Sequence, residues 1–590
     1  MNTNTQQGAF MYFKDAAHTL HQIEIESSRT VMTQLLAQLF QQATPEEAKI
    51  LSYLVLGELN PPYLGTQFAI AEKNLIKTVA LLLGQEEKNI AHHVKDLGDI
   101  GLVIEQGAWH GTELLSVSEV YEALLAIEQI NGTGSQEEKI VQLRNLLHKL
   151  DPLSAKYVAR IVLGKLRLGF SDMTILDALS WMETGNKSLR LPLEDAYNVC
   201  ADIGRIAKTL KDGGIDAIKA MQITIGIPVR PAAAERLPTA KAIMAKLGIC
   251  VAQPKLDGFR LQVHIQANDQ KPPTIHFFSR NLIDMSYMFP DLTEAFTRIP
   301  AQSLICEGEA LVFDEQTDTF LPFQETVKRK RKHGVESAAQ EFPLKFFAFD
   351  LLFLNGESYL EKMHAERRQA LVELFSAVSD GVLNVVEEKE ITSASELEAY
   401  FNTHISAGLE GLVVKRPDAL YQPGKRNFNW IKLKREEAGH LDDTIDCVIL
   451  GYYAGRGKRA KFGIGAFLVG VFNREDDRFE TIAKIGTGLS DDEWRELKKK
   501  CDHIAQSQRP HNVVCAKGLE PIVWTDPEIV CSIRADEITK SPLHTAGKTT
   551  ASLGYALRFP RFMGYREDKA ATDATDINEI KSMYQYQFER

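Results

Sequence analysis

Between residue 10 and about residue 225 the apolar positions recur with helical spacing. Val31, Leu35 and Leu39 fall at i, i+4, i+8, Ile140, Leu143 and Leu147 at i, i+3, i+7, and Leu153, Tyr157 and Ile161 at i, i+4, i+8. Side chains so spaced share one face of a helix. Most breaks carry Gly, Pro or Asn, as at Asn60-Pro61-Pro62 and Asn131-Gly132, residues that punctuate regular structure. A capping box, Ser135-x-x-Glu138, follows Asn131-Gly132-Thr133-Gly134 and predicts a helix start. Ser27-Ser28-Arg29 lies between two helical patterns and is placed to cap the second. Leu166-Arg167-Leu168-Gly169-Phe170-Ser171-Asp172 predicts a helix that breaks at Gly169 and restarts near Ser171 or Asp172. Backbone N–H groups at a helix start, with Arg nearby, suit a phosphate; an ordinary cap accounts for the same residues. An all-α domain is expected over residues 1–230. Gly226-Ile227-Pro228-Val229-Arg230-Pro231 and the Ala-rich stretch to about 240 read as a linker.

From about 245 to 440 the period changes from 3.6 to two. Strands are predicted at 259–265, 275–279, 303–313, 345–354, 411–415 and 428–434, with helical patterns near 290–297, 361–378 and 394–406. The region is organised around residues 249–265. Phe259, Leu261, Val263 and Ile265 alternate with Arg260, Gln262 and His264, a half-buried strand with one polar face. Ile249 and Val251 open a second apolar run. Pro254-Lys255-Leu256-Asp257-Gly258 lies between the two runs, so Lys255 is expected on a tight loop. This is an α+β pattern with mostly antiparallel sheets, over residues 231–441. From 442 to 590 short strands dominate, at 445–453, 465–473, 478–485 and 521–535, with a helix at 490–505. That spacing suits a small β-barrel. The stretch 571–590 is polar and expected to be loosely ordered.

Composition narrows the classes. The 590 residues are 44% hydrophobic and 25% charged, as in ordinary globular proteins of several domains. No apolar run approaches the roughly 18 residues of a membrane span, and MNTNTQQGAF lacks a signal pattern. A cytoplasmic or nucleoid location, with no membrane, is expected. The seven cysteines, at 200, 250, 306, 447, 501, 515 and 531, form no CxxC pair; buried thiols in a reducing compartment are expected. The net charge of −11 does not suggest nucleic acid, but a local basic patch decides that question. The run 328–333, Lys-Arg-Lys-Arg-Lys-His, reads first as a solvated or mobile loop, with a nuclear-localisation match or a phosphate contact as the weaker alternatives.

The strand phases place charged groups together. Glu307 and Glu309 share one sheet face in an otherwise apolar strand. Buried there they need a cation such as Mg²⁺, and a solvent-facing pair is the alternative. Trp430, Lys432 and Lys434 share a face, with Arg426 upstream: an anion site in a cleft, or a solvated face. Phe347 and Phe349 are out of phase with Phe346, so one set can be core and the other line a cleft.

Taken in order, these segments resemble the motifs of the covalent nucleotidyltransferases. They are Lys255-x-Asp257-Gly258, Ser279-Arg280-Asn281, the carboxylate strand, Phe349-Asp350, Glu410-Gly411-x-Val413-x-Lys415 and Trp430-x-Lys432-x-Lys434. Each is weak alone and the ordered set is specific. The whole chain resembles the ATP-dependent DNA ligases of the archaeal and eukaryotic replicative type. Glu26 to Arg29 and Leu166 to Asp177 resemble that family's helical DNA-binding domain. Lys484-Ile485-Gly486-Thr487-Gly488 resembles its OB domain, and Leu557 to Phe562 with Arg566-Glu567-Asp568-Lys569 its C-terminal motif.

The resemblance implies ATP and Mg²⁺ as cofactors and nicked duplex DNA as substrate. It implies Lys255 as nucleophile, Gln253 on adenine, Arg260 and Arg280 on ribose or phosphate, and Phe349 stacked on adenine. Glu309 would hold ribose or metal, and Glu410 metal. Arg426, Lys432 and Lys434 would hold phosphates, and Arg566 and Lys569 would orient the pyrophosphate. An OB-fold at 442–590, a monomer and a sliding clamp as a further partner belong to the same implication. One position departs: the family's usual Glu two residues before the lysine is Gln253. Its NH₂ adds a donor, so adenine is expected with a looser hold against guanine. A capping guanylyltransferase or RNA ligase shares the lysine chemistry but not the long helical domain. An NAD-dependent ligase would bring a four-cysteine zinc site. An end-binding scaffold would have no use for the lysine.

Overall fold

The computed structural model describes residues 10–587 apart from 27, 67, 98, 110, 112, 165, 167, 169, 238, 269–270, 315–318, 321–325, 327–328, 330, 332–333, 379–380, 408, 435–443, 456, 507 and 568. For Arg426 and Lys434, among a few others, only the backbone is described. Four of the six residues of the basic run 328–333 therefore lie outside the described residues, as do Ser27, Arg167 and Gly169. The chain divides into two compact units, Met1–Leu433 and Lys434–Arg590.

The first part of the first unit is helical, from Phe13–Ile25 through Ile203–Lys219. One continuous core joins these helices, with Leu36, Leu75, Leu124, Leu143 and Tyr157 wholly buried. Ser28 caps Arg29–Gln42, accepting from the Val31 N–H at 3.5 Å. Two boundaries differ from expectation. Ser135 is the first residue of its helix, Ser135–Lys149, and not its cap. Gly134, at φ 84°, turns the chain into the helix one residue early. The helix Pro152–Val162 stops before Gly169, because Gly164 (φ 62°) reverses the chain. The next helix, Asp172–Thr184, starts after Ser171 as expected.

Two sheets follow. In chain order the strands are β1 (Ala233–Arg236), β2 (Cys250–Lys255), β3 (Phe259–Asn268), β4 (Lys271–Ser279), β5 (Ser303–Asp314), β6 (Thr319–Phe320), β7 (Leu344–Leu354), β8 (Glu357–Ser358), β9 (Leu383–Val385), β10 (Lys389–Ile391), β11 (Gly411–Lys415) and β12 (Arg426–Lys434). One sheet runs β1-β12-β11-β2-β10; the other runs β4-β3-β5-β7-β8, with β6 on β5 and β9 on β7. β2 is antiparallel to β10 and β11, and β3 to β4 and β5; β5 is antiparallel to β6 and β7, and β7 to β8, whereas β1 with β12 and β7 with β9 are parallel. The first sheet lays Cys250, Ala252, Leu412, Val414, Ile431 and Leu433 against the helices Ala240–Leu247 and Ala394–Ser406. Its other face is left for the polar residues.

The linker expectation is corrected. Residues 226–232 are pinned along β3 by three side chains of one face. The Gly226 N–H donates to His264 Nδ1 at 3.0 Å, and the Val229 N–H donates to Gln262 Oε1 at 2.8 Å. Gln262 Nε2 returns a bond to the Val229 carbonyl, and Arg260 donates to the Ala232 carbonyl. The polar face of β3 is thus interior, with His264 fully buried, because chain backbone supplies the partners that water would have supplied. The Ala-rich run then forms β1 on the edge of the first sheet.

The second unit contains β13 (Ile445–Tyr453), β14 (Ala466–Asn473), β15 (Arg478–Ile485), β16 (Ala505–Gln506), β17 (Val513–Val514), β18 (Val523–Thr525), β19 (Val530–Arg534), β20 (Glu537–Ser541), β21 (Gly554–Arg558) and β22 (Arg561–Tyr565). The expected strand 521–535 is two strands. Among the described residues the pairings trace an open sheet, β16-β18-β13-β14-β15-β17 with β19 on β13 and β22 on β19, plus the hairpin β20-β21. As far as Gln587 the polar tail is not loose. Asp576 caps the helix Ile577–Tyr586, whose Ile577 and Ile580 enter the core, and Gln587 bonds both backbone groups of Ile538. The seven cysteines are buried free thiols. No helix among the described residues is long and apolar enough to cross a membrane.

Candidate active site

Lys255 is the last residue of β2, not a loop residue as expected. Pro254 does not end the strand. β10 stops opposite Ala252, so β2 has an open edge where the missing N–H is tolerated. Gln253 and Lys255 project from the face opposite the Cys250/Ala252 core, and pair with Val413 and Gly411 of β11. The loop after Lys255 is held tightly. A Cβ on Gly258 would lie 2.4 Å from the Ala310 carbonyl oxygen, so no other residue fits without moving β5.

The expected carboxylate pair separates into two kinds of group. Glu307 is 1% exposed and accepts from Arg260 Nη2 at 3.0 Å and the Tyr421 hydroxyl at 2.8 Å. It is a satisfied interior ion pair. Glu309, across from Arg260 on β3, accepts from the Gly258 N–H at 3.1 Å. Burial pushes its carboxyl up to about 7 against the pull of Lys255 and Arg260, so it is an anion short of positive charge. Glu410, just before β11, contacts the Lys255 ammonium. Glu309 and Glu410 therefore suit a divalent cation, which would supply the missing charge and draw a phosphate toward Lys255.

An aromatic wall stands beside them. Phe346 is core while Phe347 and Phe349 are partly open, which decides between the two sets that the phase separates. Phe349 meets Trp430 edge-on at 6.1 Å, and the Arg260 guanidinium lies 5.4 Å from the Phe349 ring. Arg260 is held by Glu307, which with the surrounding charges outweighs the cost of burial and keeps it charged; its Nε has no hydrogen-bond partner among the described residues. Arg280 is exposed just after Ser279, which pairs with Leu261, so it leaves the sheet beside Arg260. Lys432 is half-buried on the Trp430 face of β12. The side chains of Arg426 and Lys434 lie outside the described residues. Arg566 and Lys569 belong to the second unit, where Asp446 accepts from Arg566 Nη1 at 3.0 Å and Lys569 Nζ at 2.6 Å.

Sequence reasoning missed a buried network under the site. Lys415 donates to the Phe349 carbonyl at 3.0 Å and lies 4.3 Å from the Trp430 ring. Burial pushes its ammonium down to about 8, despite Asp350. Asp350 takes two bonds from Arg367, at 2.7 and 3.2 Å. Gln253 donates to Glu388 at 2.7 Å, and Glu388 also contacts His364 Nε2 at 2.8 Å. Lys415 was within reach, since it closes the Glu410-Gly411-x-Val413-x-Lys415 segment. Glu388 and His364 carry no local signal.

The chain matches three family models: the DNA ligase N terminus over residues 12–180, the ATP dependent DNA ligase domain over 231–434, and the ATP dependent DNA ligase C terminal region over 460–569. It is 44% identical over 580 residues to a probable DNA ligase of Dictyoglomus turgidum, covering 98% of each chain. The chain belongs to the ATP-dependent DNA ligases. A DNA ligase of Pyrobaculum islandicum is 37% identical over 593 residues, with 98% of this chain and 99% of that one covered. The solved structure Pmar-Lig_PreS3 shares the fold at TM-score 0.56 and 16% identity, over 93% of this chain and 99% of that one. The ligase has the family's three-domain architecture, with a helical N-terminal region and a sheet-rich C-terminal region. It uses ATP and a divalent metal, and seals nicks in duplex DNA by joining 3′-hydroxyl and 5′-phosphate ends through adenylate intermediates.

Proposed function

We propose that Lys255 carries the adenylate. Its position supports this: an amine at the end of β2, against Glu410, with Glu309 near and the Phe349/Trp430 wall beside it. The neutral ε-amine attacks the α-phosphorus of ATP, the N–P bond forms, the bond to pyrophosphate breaks and the amine loses a proton. The AMP passes to the 5′-phosphate of the nick, and the 3′-hydroxyl then displaces it. Arg280, Arg426, Lys432 and Lys434 neutralise phosphate charge, Gln253 and Phe349 hold adenine, and Glu309 and Glu410 hold the metal. Arg260 is already committed to Glu307 and Ala232, so in this reading it serves the ribose side through its position under Phe349. Arg566 and Lys569 orient the pyrophosphate.

We read the functional domains as 1–230 for DNA binding, 231–441 for adenylation and 442–590 for an OB-fold, the last supported by the β13–β15 meander and the β19/β22 pair. The ligase works as a monomer in the cytoplasm or nucleoid, with a sliding clamp as a candidate partner. The test is incubation with α-labelled ATP and Mg²⁺ without DNA. Label should appear on the protein, be lost on adding nicked DNA and be absent in Lys255→Ala. A labelled Lys255→Ala protein would sink the assignment.

A further inference from the structure

The expectation of a looser hold against guanine rests on Gln253 offering both a donor and an acceptor to the base. The structure removes that ambiguity. Gln253 is 2% exposed, and its Nε2 sits 2.7 Å from Glu388 Oε2. A carboxylate can only accept, so the amide NH₂ must face it. Glu388 is itself fixed. His364 Nε2 lies 2.8 Å from the same oxygen, and Arg368 Nε stands 3.9 Å from the other. His364 sits at the start of the helix His364–Ser376, and its N–H donates to the Ala419 carbonyl. Burial favours neutral imidazole, which then donates from Nε2. Burial works to raise the Glu388 carboxyl, and the His364 bond and the nearby cations outweigh it.

We propose that Glu388, held by His364, is a positioning residue for nucleotide choice: it locks the Gln253 amide so that only its carbonyl oxygen faces the purine. That oxygen accepts from the 6-amino group of adenine and repels the 6-oxo group of guanine or hypoxanthine. A locked Gln then offers a single acceptor, as the family's usual Glu does, without setting a second carboxylate against Glu388. An acceptor left facing an acceptor in a buried site is where large discrimination comes from. The inference rests on the proposal that Gln253 contacts the base.

The test is equilibrium binding of ATP and inosine triphosphate to the full chain in EDTA, where no turnover occurs, followed by covalent labelling with labelled ATP and GTP. Wild-type protein should bind ATP at least about tenfold tighter than inosine triphosphate. In Glu388→Gln the neighbour can donate as well as accept, the amide can turn over, and the preference should fall to within about threefold. The double variant Gln253→Glu/Glu388→Gln restores one fixed acceptor and should recover the wild-type preference, which a merely structural defect would not do. A folded Glu388→Gln protein that keeps the wild-type ratio overturns the inference, and so does a wild type that does not discriminate. If the wild type discriminates and Gln253→Ala discriminates equally, the base contact itself is misassigned and the lysine chemistry stands.

Discussion

At the scale of single residues, the two glutamates of β5 make opposite predictions. Glu307 is buried with Arg260 and Tyr421 on it. Glu307→Gln leaves Arg260 without its counter-charge in the interior, and should cost about 3 kcal/mol of stability, read as a fall in urea midpoint. Glu309 is held by one backbone N–H, and its carboxyl is raised to about 7 by burial. Glu309→Gln removes an unfavourable anion, so the midpoint at pH 8 should hold or rise while adenylation is lost. The reverse pattern would move the metal-facing role to Glu307. Alternation placed both residues on one face but could not tell them apart, because the distinction comes from Tyr421 and from the turn at Gly258, both remote in sequence from the pair. That Phe347 and Phe349 part from Phe346 was legible from phase; which of the two sets is core was not. Glu388 was not, since it lies between β9 and β10 and reaches Gln253 only through the sheet pairing.

Elements were legible where their pattern was local. The helical stripes and the six longer strands between 259 and 434 follow from periodicity; the two- and three-residue strands β6, β8, β9 and β10 are too short to show a period. The misjudged stretches are those where tertiary partners override a local rule. Pro254 stays in a strand because β10 has ended. Gly134 displaces a well-formed capping box. The 226–240 stretch, with its Pro and Ala, is strapped to β3 and not a free linker. That strap has a pH signature. His264 accepts from the Gly226 N–H on Nδ1 and contacts Gln262 on Nε2, and burial pushes it down to about 3. The unfolded chain titrates this histidine near 6.5, so between about 6.5 and 3 the unfolded state binds more protons than the folded one. Its contribution to stability is complete above about 6.5 and is lost as pH falls toward 3. His264→Gln should lower stability at pH 8 and flatten its decline between pH 6.5 and 4, measured by urea unfolding at each pH. An unchanged slope would place the acid sensitivity elsewhere.

At the scale of the whole molecule, the net charge of −11 sets a protein that acts on DNA against its substrate's charge. Binding must come from local basic surface, and backbone contacts of that kind give a steep loss of affinity with salt and little sequence preference. Affinity for a nicked duplex should fall at least about tenfold between 50 and 200 mM salt; a flat response would exclude a phosphate-dominated interface. The C-terminal motif makes a sharper prediction. Arg566 and Lys569 are both bonded to Asp446, which also accepts from Ser532 Oγ at 2.6 Å. The carboxyl of Asp446 is held below its ordinary value by Lys569, Ser532 and Arg566, against the effect of burial. A pyrophosphate taking up these two cations competes with Asp446 for them. Asp446→Asn keeps the shape and the Ser532 partner but removes the competing charge. It should lower KM for ATP in the adenylation step several-fold, and leave the sealing of a pre-adenylated nick, which involves no pyrophosphate, at the wild-type rate. A rise in KM would mean that Asp446 aims the pair instead of competing for it. An equal change in both steps would detach Arg566 and Lys569 from pyrophosphate.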